Sequence, residues 1–338
     1  MNSRELVKRT LEFDSPPRIP RQLWLLPWAS TRYPKEAAEL QKAFPDDLVS
    51  SPAFYREELP GQGNRYLEGT SRDEWGCTFE NIQEGAIGEV KTPLLQDWSD
   101  LDKVRIPVER LSVDTGKVNE FYRSTDRFVI AGCCPRPFER LQFLRGTVNL
   151  LMDLMDRPAE LQTLIERMHA FYLDELELWA RSEVDALFIM DDWGSQNALL
   201  ISPGLWREMF MPLYKDYIEI AHRAGKYFFM HSDGHILDIL PDLAELGVDA
   251  VNAQVFCMGL KQVGDAARGK LTFWGEADRQ HLLPSGTKDE IYEAVREMKE
   301  YLFDRGGVIA QCEFGLGARP ENIHAFFEAW DRVPGNEA

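Results

Sequence analysis

Two residues of this sequence, His231 and Asp233, have the types and the spacing of a metal-binding pair. Side chains two positions apart in an extended segment lie on the same side, so both could reach one ion. Cys312 follows a separate apolar segment, and imidazole, carboxylate and thiolate together suit Zn²⁺ with an open fourth position. A structural interpretation also fits: His231 hydrogen-bonded in the core, Asp233 a helix cap, and Cys312 a small buried residue.

Further polar residues follow other apolar segments, and five such segments in succession are hard to explain by helix caps alone. Clustered carboxylates raise each other's pKa values, which suits proton transfer. We therefore predict catalytic roles for Asp191, Asp192 and Glu276. The predicted substrate-binding residues lie at or near segment ends and are Trp24, Trp28, Trp193, Asn252, Gln254, Trp274 and Glu313. Aromatic residues at such positions also occur as ordinary barrel packing.

Two parts of the chain differ in regularity. Residues 1–125 are irregular and rich in proline, whereas from residue 126 short apolar runs alternate with helical segments, as in a parallel sheet buried on both faces. The predicted strands are Gln22–Leu26, Phe128–Gly132, Ala186–Met190, Tyr227–His231, Ala250–Ala253, Leu271–Trp274 and Gly307–Ala310. The predicted helices are Val148–Leu154, Pro158–Ser182, Pro203–Ala224, His235–Leu246, Lys288–Asp304 and Pro320–Asp331.

These elements predict an α/β protein with a single domain over residues 1–338, a (β/α)8 TIM barrel with an irregular N-terminal extension. Residues 1–125 would hold the first strand, and residues 126–334 the regular βα units. A doubly wound sheet is the alternative, but no Gly-x-Gly-x-x-Gly motif follows the first strand. In a barrel the active site lies at the C-terminal ends of the strands, which is where the residues named above are expected.

The composition limits the possible partners. The 338 residues include 38 Lys and Arg against 56 Asp and Glu, a formal charge of −18 that argues against nucleic acid as a general partner. No run approaches the roughly 18 apolar residues that a membrane span needs. The N-terminal residues lack the apolar core of a secretory signal, and the five cysteines show no disulfide spacing. We therefore expect a cytoplasmic protein with reduced thiols.

Four segments resemble the uroporphyrinogen decarboxylase superfamily: residues 185–194 (DALFIMDDWG), 199–208 (LLISPGLWRE), 230–237 (MHSDGHIL) and 246–252 (LGVDAVN). Shorter matches extend the resemblance over the chain from about residue 70. The resemblance implies a (β/α)8 barrel and one of two chemistries. The decarboxylases are metal-free and hold tetrapyrrole propionates with an Arg-Gln-x-Gly-Arg segment after the first strand. Residues 25–30 (LLPWAS) lack that motif, so we do not expect porphyrinogen binding.

The other branch of the superfamily consists of corrinoid methyltransferases, which bind zinc through a His-x-Cys pair and a distant Cys. This sequence is similar to that pattern at His231 and Cys312, and it departs from the pattern at Asp233, which stands in place of the middle cysteine. The resemblance thus implies a zinc ion held by these three residues. A carboxylate in place of a thiolate leaves more positive charge on the ion, which makes the ion a stronger Lewis acid.

We therefore predict a zinc-dependent methyltransferase that moves a methyl group from a small methylated donor to a corrinoid (as methylcobalamin) carried by a partner protein. A methoxylated aromatic is the expected donor, because a Lewis acid polarises an ether oxygen. The alternative is a metal-free, uroporphyrinogen decarboxylase-like lyase that uses the clustered carboxylates Asp191, Asp192 and Glu276 for acid–base chemistry. Neither nucleic acid nor a membrane is expected as a partner.

Overall fold

An eight-stranded parallel sheet, rolled into a nearly closed barrel, forms the centre of the protein. The computed structural model describes residues 1–333. The strands are β1 (Arg21–Leu25), β2 (Leu48–Ser50), β3 (Gly69–Arg72), β4 (Thr78–Asn81), β5 (Phe128–Ile130), β6 (Ala186–Met190), β7 (Tyr227–Ser232), β8 (Ala250–Ala253), β9 (Thr272–Trp274) and β10 (Val308–Phe314). The barrel runs in the order β1-β10-β9-β8-β7-β6-β5-β2, with neighbouring strands parallel, and β3 pairs with β4 in a separate antiparallel ribbon.

Helices follow the strands along the chain. They are α1 (Ser3–Leu11), α2 (Pro27–Arg32), α3 (Pro34–Ala43), α4 (Thr115–Arg123), α5 (Pro137–Arg145), α6 (Thr147–Asp156), α7 (Ala159–Ala180), α8 (Pro203–Met209), α9 (Met211–Arg223), α10 (Leu240–Leu246), α11 (Val255–Met258), α12 (Leu260–Ala267), α13 (Leu282–Ser285), α14 (Lys288–Leu302) and α15 (Pro320–Arg332). A capping box of Thr287 and Glu290 begins α14 and satisfies backbone N–H groups of its first turn. None of the helices within residues 1–333 is long and apolar enough to cross a membrane.

The predicted helix over residues 203–224 is in fact two helices, α8 and α9. Pro212 lies in the first turn of α9 and has no backbone N–H to donate to residue 208, so the first helix ends and a new one begins. All seven predicted strands are present, although β10 extends to Phe314 and not only to Ala310. The helices α1–α5 and α11–α13 were not predicted from the sequence, and α1–α4 lie in the part predicted to be irregular.

The interior of the barrel holds its own apolar cluster, to which every barrel strand contributes. The interior cluster includes Trp24, Leu48, Ile130, Phe188, Phe229, Ala250, Trp274 and Ile309. Neighbouring strand residues point the other way and belong to an outer cluster between sheet and helices, for example Leu23, Leu187, Phe228, Val251 and Ala310. Val7 and Leu11 of α1 join the interior cluster, so this helix closes the N-terminal end of the barrel.

The barrel closes between β1 and β2. There the Asp47 N–H donates to the Arg21 carbonyl (2.9 Å), and the Asp46 carboxyl accepts from the Leu23 N–H (2.7 Å). β2 is the eighth barrel strand, and it lies within the 1–125 part that the sequence pattern predicts to be irregular. The predicted α/β TIM barrel is confirmed. The predicted βα region, residues 126–334, is described up to Val333, and residue 334 lies outside the described residues.

Candidate functional site

Three side chains meet at the C-terminal ends of β6 and β7. Asp192 comes two residues after β6, His231 lies in β7, and Asp233 directly follows β7. His231 Nε2 is 3.6 Å from Asp192 Oδ1 and 3.5 Å from Asp233 Oδ1. One potential ligand atom from each residue lies within 4.8 Å of the other two, and within residues 1–333 this is the only such group of three or more. We call it the Asp192–His231–Asp233 cluster.

Asn252 sets the orientation of the His231 ring. Asn252 Nδ2 donates to the Trp274 carbonyl, which leaves its Oδ1 facing His231 Nδ1 at 2.5 Å. A carbonyl oxygen can only accept, so Nδ1 carries a hydrogen, and in the neutral ring the lone pair is on Nε2. That lone pair is turned toward the two aspartates. Metal-binding histidines are oriented in this way, by a partner on the nitrogen that does not bind the ion.

The loops after β6 and β7 touch through their backbones. The Asp233 N–H donates to Asp192 Oδ1 (2.9 Å), and the Gly194 N–H donates to the Asp233 carbonyl (3.1 Å). A Cβ atom on Gly194 would lie 2.2 Å from the His235 nitrogen, and one on Gly234 would lie 2.2 Å from the Gly194 oxygen. Neither position has room for a side chain, so the two loops hold Asp192 and Asp233 at a set separation.

Arg279 joins three carboxylates beside the cluster. Its Nη2 donates to Asp233 Oδ2 (2.5 Å), its Nη1 is 3.3 Å from Glu313 Oε2, and its Nε is 3.6 Å from Glu276 Oε2. The other oxygen of Asp233 accepts from Gln254 Nε2 at 3.2 Å. Arg279 was not predicted from the sequence, because it lies in a loop where no periodicity marks it. Its position three residues after Glu276 was the one available signal.

Burial and crowding of carboxylates shift the pKa values around the cluster. Burial raises the pKa of Asp192 to about 6 and the pKa of Glu276 to about 7. Burial also disfavours the charged form of His231, but the Asp233 and Asp192 carboxylates outweigh it and raise the pKa of the imidazole. Glu276 is 2% exposed, and neither of its oxygens has a hydrogen-bond partner among the described residues. This concentration of negative charge favours a bound cation.

Two cavities lie beside the cluster, and no described residue borders both of them. The larger cavity, about 940 Å³, is bordered by Asp192 and by side chains of the β3–β4 ribbon. The smaller cavity, about 220 Å³, is bordered by Gln254 and Arg279, which both contact Asp233. The larger cavity therefore meets the cluster at Asp192, and the smaller cavity adjoins it through the two side chains that hold Asp233.

Asp191 faces away from the cluster, because neighbouring residues of an extended segment point to opposite sides. Its buried carboxyl group accepts the N–H groups of Phe138 (3.0 Å) and Glu139 (2.7 Å) at the start of α5, and also the Tyr214 hydroxyl (2.7 Å). Burial raises the pKa of Asp191 to about 8. These contacts satisfy the N-terminal N–H groups of α5, as a helix cap does, and none of them joins Asp191 to the cluster.

The structure does not bring Cys312, the predicted thiolate ligand, to the cluster. Cys312 is fully buried, is paired in register with Leu23 of β1, and belongs with Leu23 to the outer cluster. Glu313, the next residue of β10, points the other way and reaches Arg279. The alternation of β10 therefore turns the carboxylate of the predicted Cys312–Glu313 pair toward the site and the thiol away from it.

The predicted aromatic residues divide into two groups. Trp24 and Trp274 belong to the barrel interior, where the Trp24 ring lies 5.5 Å from the His231 ring and 5.3 Å from the Trp274 ring. Both indole N–H groups donate to Gln22 Oε1, at 3.1 Å and 2.9 Å. These two tryptophans form the floor beneath His231.

Trp193 and Trp28 have no described contact with the cluster side chains. Trp193 is fully buried in the outer cluster, where its ring stacks on Phe138 at 4.1 Å. Trp28 lies on α2 and packs against Tyr33, with ring centroids 5.9 Å apart. Their predicted substrate contacts stay predictions, and their described contacts are those of packing.

The donor set of the cluster fits a small divalent cation. An imidazole nitrogen and carboxylate oxygens are ligands of Zn²⁺ and of neighbouring first-row ions. Three protein ligands leave a coordination position open for substrate, as in catalytic zinc sites. The group contains Asp192 and lacks the predicted Cys312 thiolate, so it is a harder donor set than His231, Asp233 and Cys312 would form.

Comparisons with known proteins agree with this architecture. A methylated-thiol–coenzyme M methyltransferase of Methanosarcina mazei is 23% identical over 230 residues, which are 67% of this chain and 59% of that protein. The chain thus matches less than two thirds of the length of that relative. A solved structure described as a methyltransferase from Methanosarcina mazei superposes with a TM-score of 0.69 over 98% of both chains, at 16% identity, and shows the same fold.

A weaker structural likeness, to a D-psicose 3-epimerase with D-fructose, has a TM-score of 0.39 and 12% identity over 66% of this chain and 80% of that one, which is too low to carry an argument. The family model of uroporphyrinogen decarboxylase (URO-D) matches residues 72–333. This range contains the cluster and the strands β4–β10. The match confirms the resemblance seen in the sequence. The chain belongs to the uroporphyrinogen decarboxylase (URO-D) family.

Proposed function

We propose that this protein is a metal-dependent methyltransferase with zinc as its ion. The observation that carries the proposal is the Asp192–His231–Asp233 cluster at the mouth of the barrel, with His231 Nε2 turned toward both carboxylates. The methyltransferase name of the 23% identical relative supports the same reaction class. All five cysteines are free thiols, which supports a cytoplasmic location.

The donor set favours a methyl group that is bound to oxygen. An ion held by one imidazole and two carboxylates would supply a Lewis acid that draws electron density from a substrate oxygen. The relative is named for a methylated thiol, and sulfur is a softer donor atom than oxygen. The cluster has no thiolate, so we propose a methoxylated aromatic compound as the donor for this protein.

The acceptor that we propose is a reduced corrinoid carried by a partner protein. The methyl–oxygen bond breaks, its electron pair stays on the oxygen, and an electron pair of the reduced cobalt forms the new bond to carbon. The released oxygen needs a proton, and Glu276, whose pKa burial raises to about 7, can hold one at neutral pH. Arg279 and Gln254 hold Asp233 in place during this exchange.

Metal analysis and a methyl-transfer assay test the proposal together. We expect about one zinc ion per chain, and we expect His231→Ala to lose both the ion and the activity, since three ligands become two. His324→Ala, at an exposed histidine of α15, is the matched control and should keep both. The assay follows the absorbance of a cobalt(I) corrinoid during incubation with a panel of methoxylated aromatics. A metal-free preparation with full activity would contradict the proposal.

A metal-free, decarboxylase-like lyase is the second candidate, and the buried Glu276 with two unpartnered oxygens favours it. Such a lyase would use Glu276 and the neighbouring carboxylates for proton transfer. Activity that withstands a chelator and the His231→Ala change, but is lost in Glu276→Gln, would support the lyase over the methyltransferase.

A further inference from the structure

The smaller of the two cavities has the features of a binding site for one small molecule. It lies between the loop that follows β9 and the short helix α11, and Gln280 Nε2 donates to Gln196 Oε1 (3.0 Å) across its rim. Its walls are formed by Gln196, Gln254, Phe256, Cys257, Glu276 and the 277–281 loop. Glu276 is a buried wall residue, and neither of its oxygens has a hydrogen-bond partner among the described residues, so the cavity contains an acceptor that a ligand could satisfy.

This cavity adjoins the cluster through Gln254 and Arg279, which line the cavity and contact Asp233. Both oxygens of that carboxylate are contacted by wall residues, Oδ1 by Gln254 and Oδ2 by Arg279. The larger cavity borders the cluster at Asp192 instead. In a displacement at a methyl carbon the incoming group attacks on the side opposite to the leaving group. Two separate cavities, one at Asp192 and one beside the partners of Asp233, suit that requirement, one for the donor and one for the acceptor.

The volumes decide which cavity fits which molecule. An apolar cavity of about 150 Å³ is known to hold one benzene molecule. The smaller cavity, about 220 Å³, therefore has room for one ring with a methoxy group, and not for a second ring. The larger cavity, about 940 Å³, is near the upper end of the roughly 300–1,000 Å³ found for ligand pockets, and far larger than a single-ring donor needs.

The charges around the smaller cavity oppose an anionic ligand. Glu276 and Asp278 are both wall residues, and Asp278 already pairs with His281 at 3.3 Å. The one guanidinium in the wall, Arg279, is shared among the carboxylates of Asp233, Glu276 and Glu313. No cation is left in the described wall for a carboxylate on the ligand, and an unpaired charge in a closed site is costly. The ligand should therefore be uncharged.

We propose that the smaller cavity is the methyl-donor subsite and that it takes an uncharged methoxyarene with a single ring, such as a methoxyphenol. The larger cavity is the side from which the acceptor approaches. This assignment rests on the proposed methyltransferase function, but binding of the donor can be measured without the reaction.

Calorimetric titration of the full-length protein with 2-methoxyphenol and with 2-methoxybenzoate tests the assignment, with and without added zinc. We expect 2-methoxyphenol to bind at least tenfold more tightly, because the benzoate places a second negative charge beside Glu276. Equal or tighter binding of 2-methoxybenzoate would overturn the charge argument. Absence of binding by either compound would overturn the subsite itself.

Cavity-filling variants locate the bound ring. Cys257→Phe fills the smaller cavity and should weaken 2-methoxyphenol binding at least tenfold, and Gln280→Trp at the exposed rim serves if the first variant does not fold. Leu59→Trp fills the larger cavity and is the matched control, which should bind 2-methoxyphenol as the parent does. Loss of binding in Leu59→Trp alone would place the donor in the larger cavity and refute the assignment.

The methyl-transfer assay separates the two proposals. Binding of 2-methoxyphenol that responds to Cys257→Phe, without transfer to a cobalt(I) corrinoid, would support the subsite and refute the proposed function. Transfer from methoxyarenes that is unaffected by Cys257→Phe and Gln280→Trp would support the function and refute the subsite.

Discussion

Replacement of Asn252 by alanine tests whether the orientation of His231 prepares it for a metal ion. Asn252 is fully buried, and it makes two hydrogen bonds, one to His231 Nδ1 and one to the Trp274 carbonyl. The Asn252→Ala change removes both of them. His231 keeps its position in β7, but nothing then fixes which nitrogen carries the hydrogen or how the ring is rotated.

The magnitudes follow from these two bonds. Loss of such a partner of a metal-binding histidine typically weakens metal binding by roughly 10- to 100-fold. Each factor of ten is about 1.4 kcal/mol, so the expected loss is about 1.4–2.8 kcal/mol of binding free energy. The metal-free protein should also lose about 1–3 kcal/mol of stability, because the Trp274 carbonyl is left buried without a partner.

Competition with a chromophoric chelator measures the zinc affinity, and urea denaturation measures the stability. Asn322→Ala is the matched control: Asn322 is also buried, and its Nδ2 donates to the carbonyls of Leu282, Leu283 and Gly286. We expect the control to lose comparable stability while its zinc affinity stays within about twofold of the parent. If Asn252→Ala binds zinc as tightly as the parent, the argument from ring orientation is refuted.

Three further predictions concern other parts of the same architecture. Cys312→Ala should leave zinc affinity within about twofold of the parent in chelator competition, because its thiol is in the outer cluster; a loss of the ion would show that the thiol is a ligand after all. Arg279→Gln should weaken zinc binding by about tenfold or more, since Asp233 Oδ2 loses its charged partner; an unchanged zinc titration would show that Arg279 does not position Asp233 for the ion. Burial raises the pKa of Asp46 to about 6, so the folded protein binds the extra proton between pH 4 and 6, and stability falls as pH rises through that window. Asp46→Asn should remove this fall in stability, which amounts to about 3 kcal/mol over the window, in urea denaturation at a series of pH values, and an equal fall in the variant would contradict the assignment.

The barrel itself could be predicted because its strands are buried on both faces. Runs such as Ala186–Met190 read as continuous apolar segments, and their alternation with helices marks a parallel sheet. The same property hides the direction of each side chain. A strand that is apolar at every position gives no indication of which residues face the barrel interior and which face the helices.

Because the side-chain directions could not be predicted, the residues that meet at the site could be predicted only in part. Asp191 and Asp192 are adjacent in the sequence, but only Asp192 reaches the cluster, while Asp191 accepts hydrogen bonds from the first turn of α5. Cys312 and Glu313 are divided in the same way by β10. Arg279 could not be found from periodicity, because it contributes from a loop whose path depends on the packing around it.

The backbone contact between Gly194 and Gly234 bears on which ion the site can select. Zinc sits about 2.0–2.2 Å from its nitrogen and carboxylate ligands, whereas calcium needs about 2.3–2.6 Å and six to eight oxygens. To accept the larger radius, the two loops would have to move apart, yet they are joined by the hydrogen bond from Gly194 to Asp233 and by the fit of one glycine against the other. The two loops therefore fix the separation of Asp192 and Asp233. We expect this fixed spacing to disfavour cations larger than zinc, such as calcium, when an ion binds between the two carboxylates.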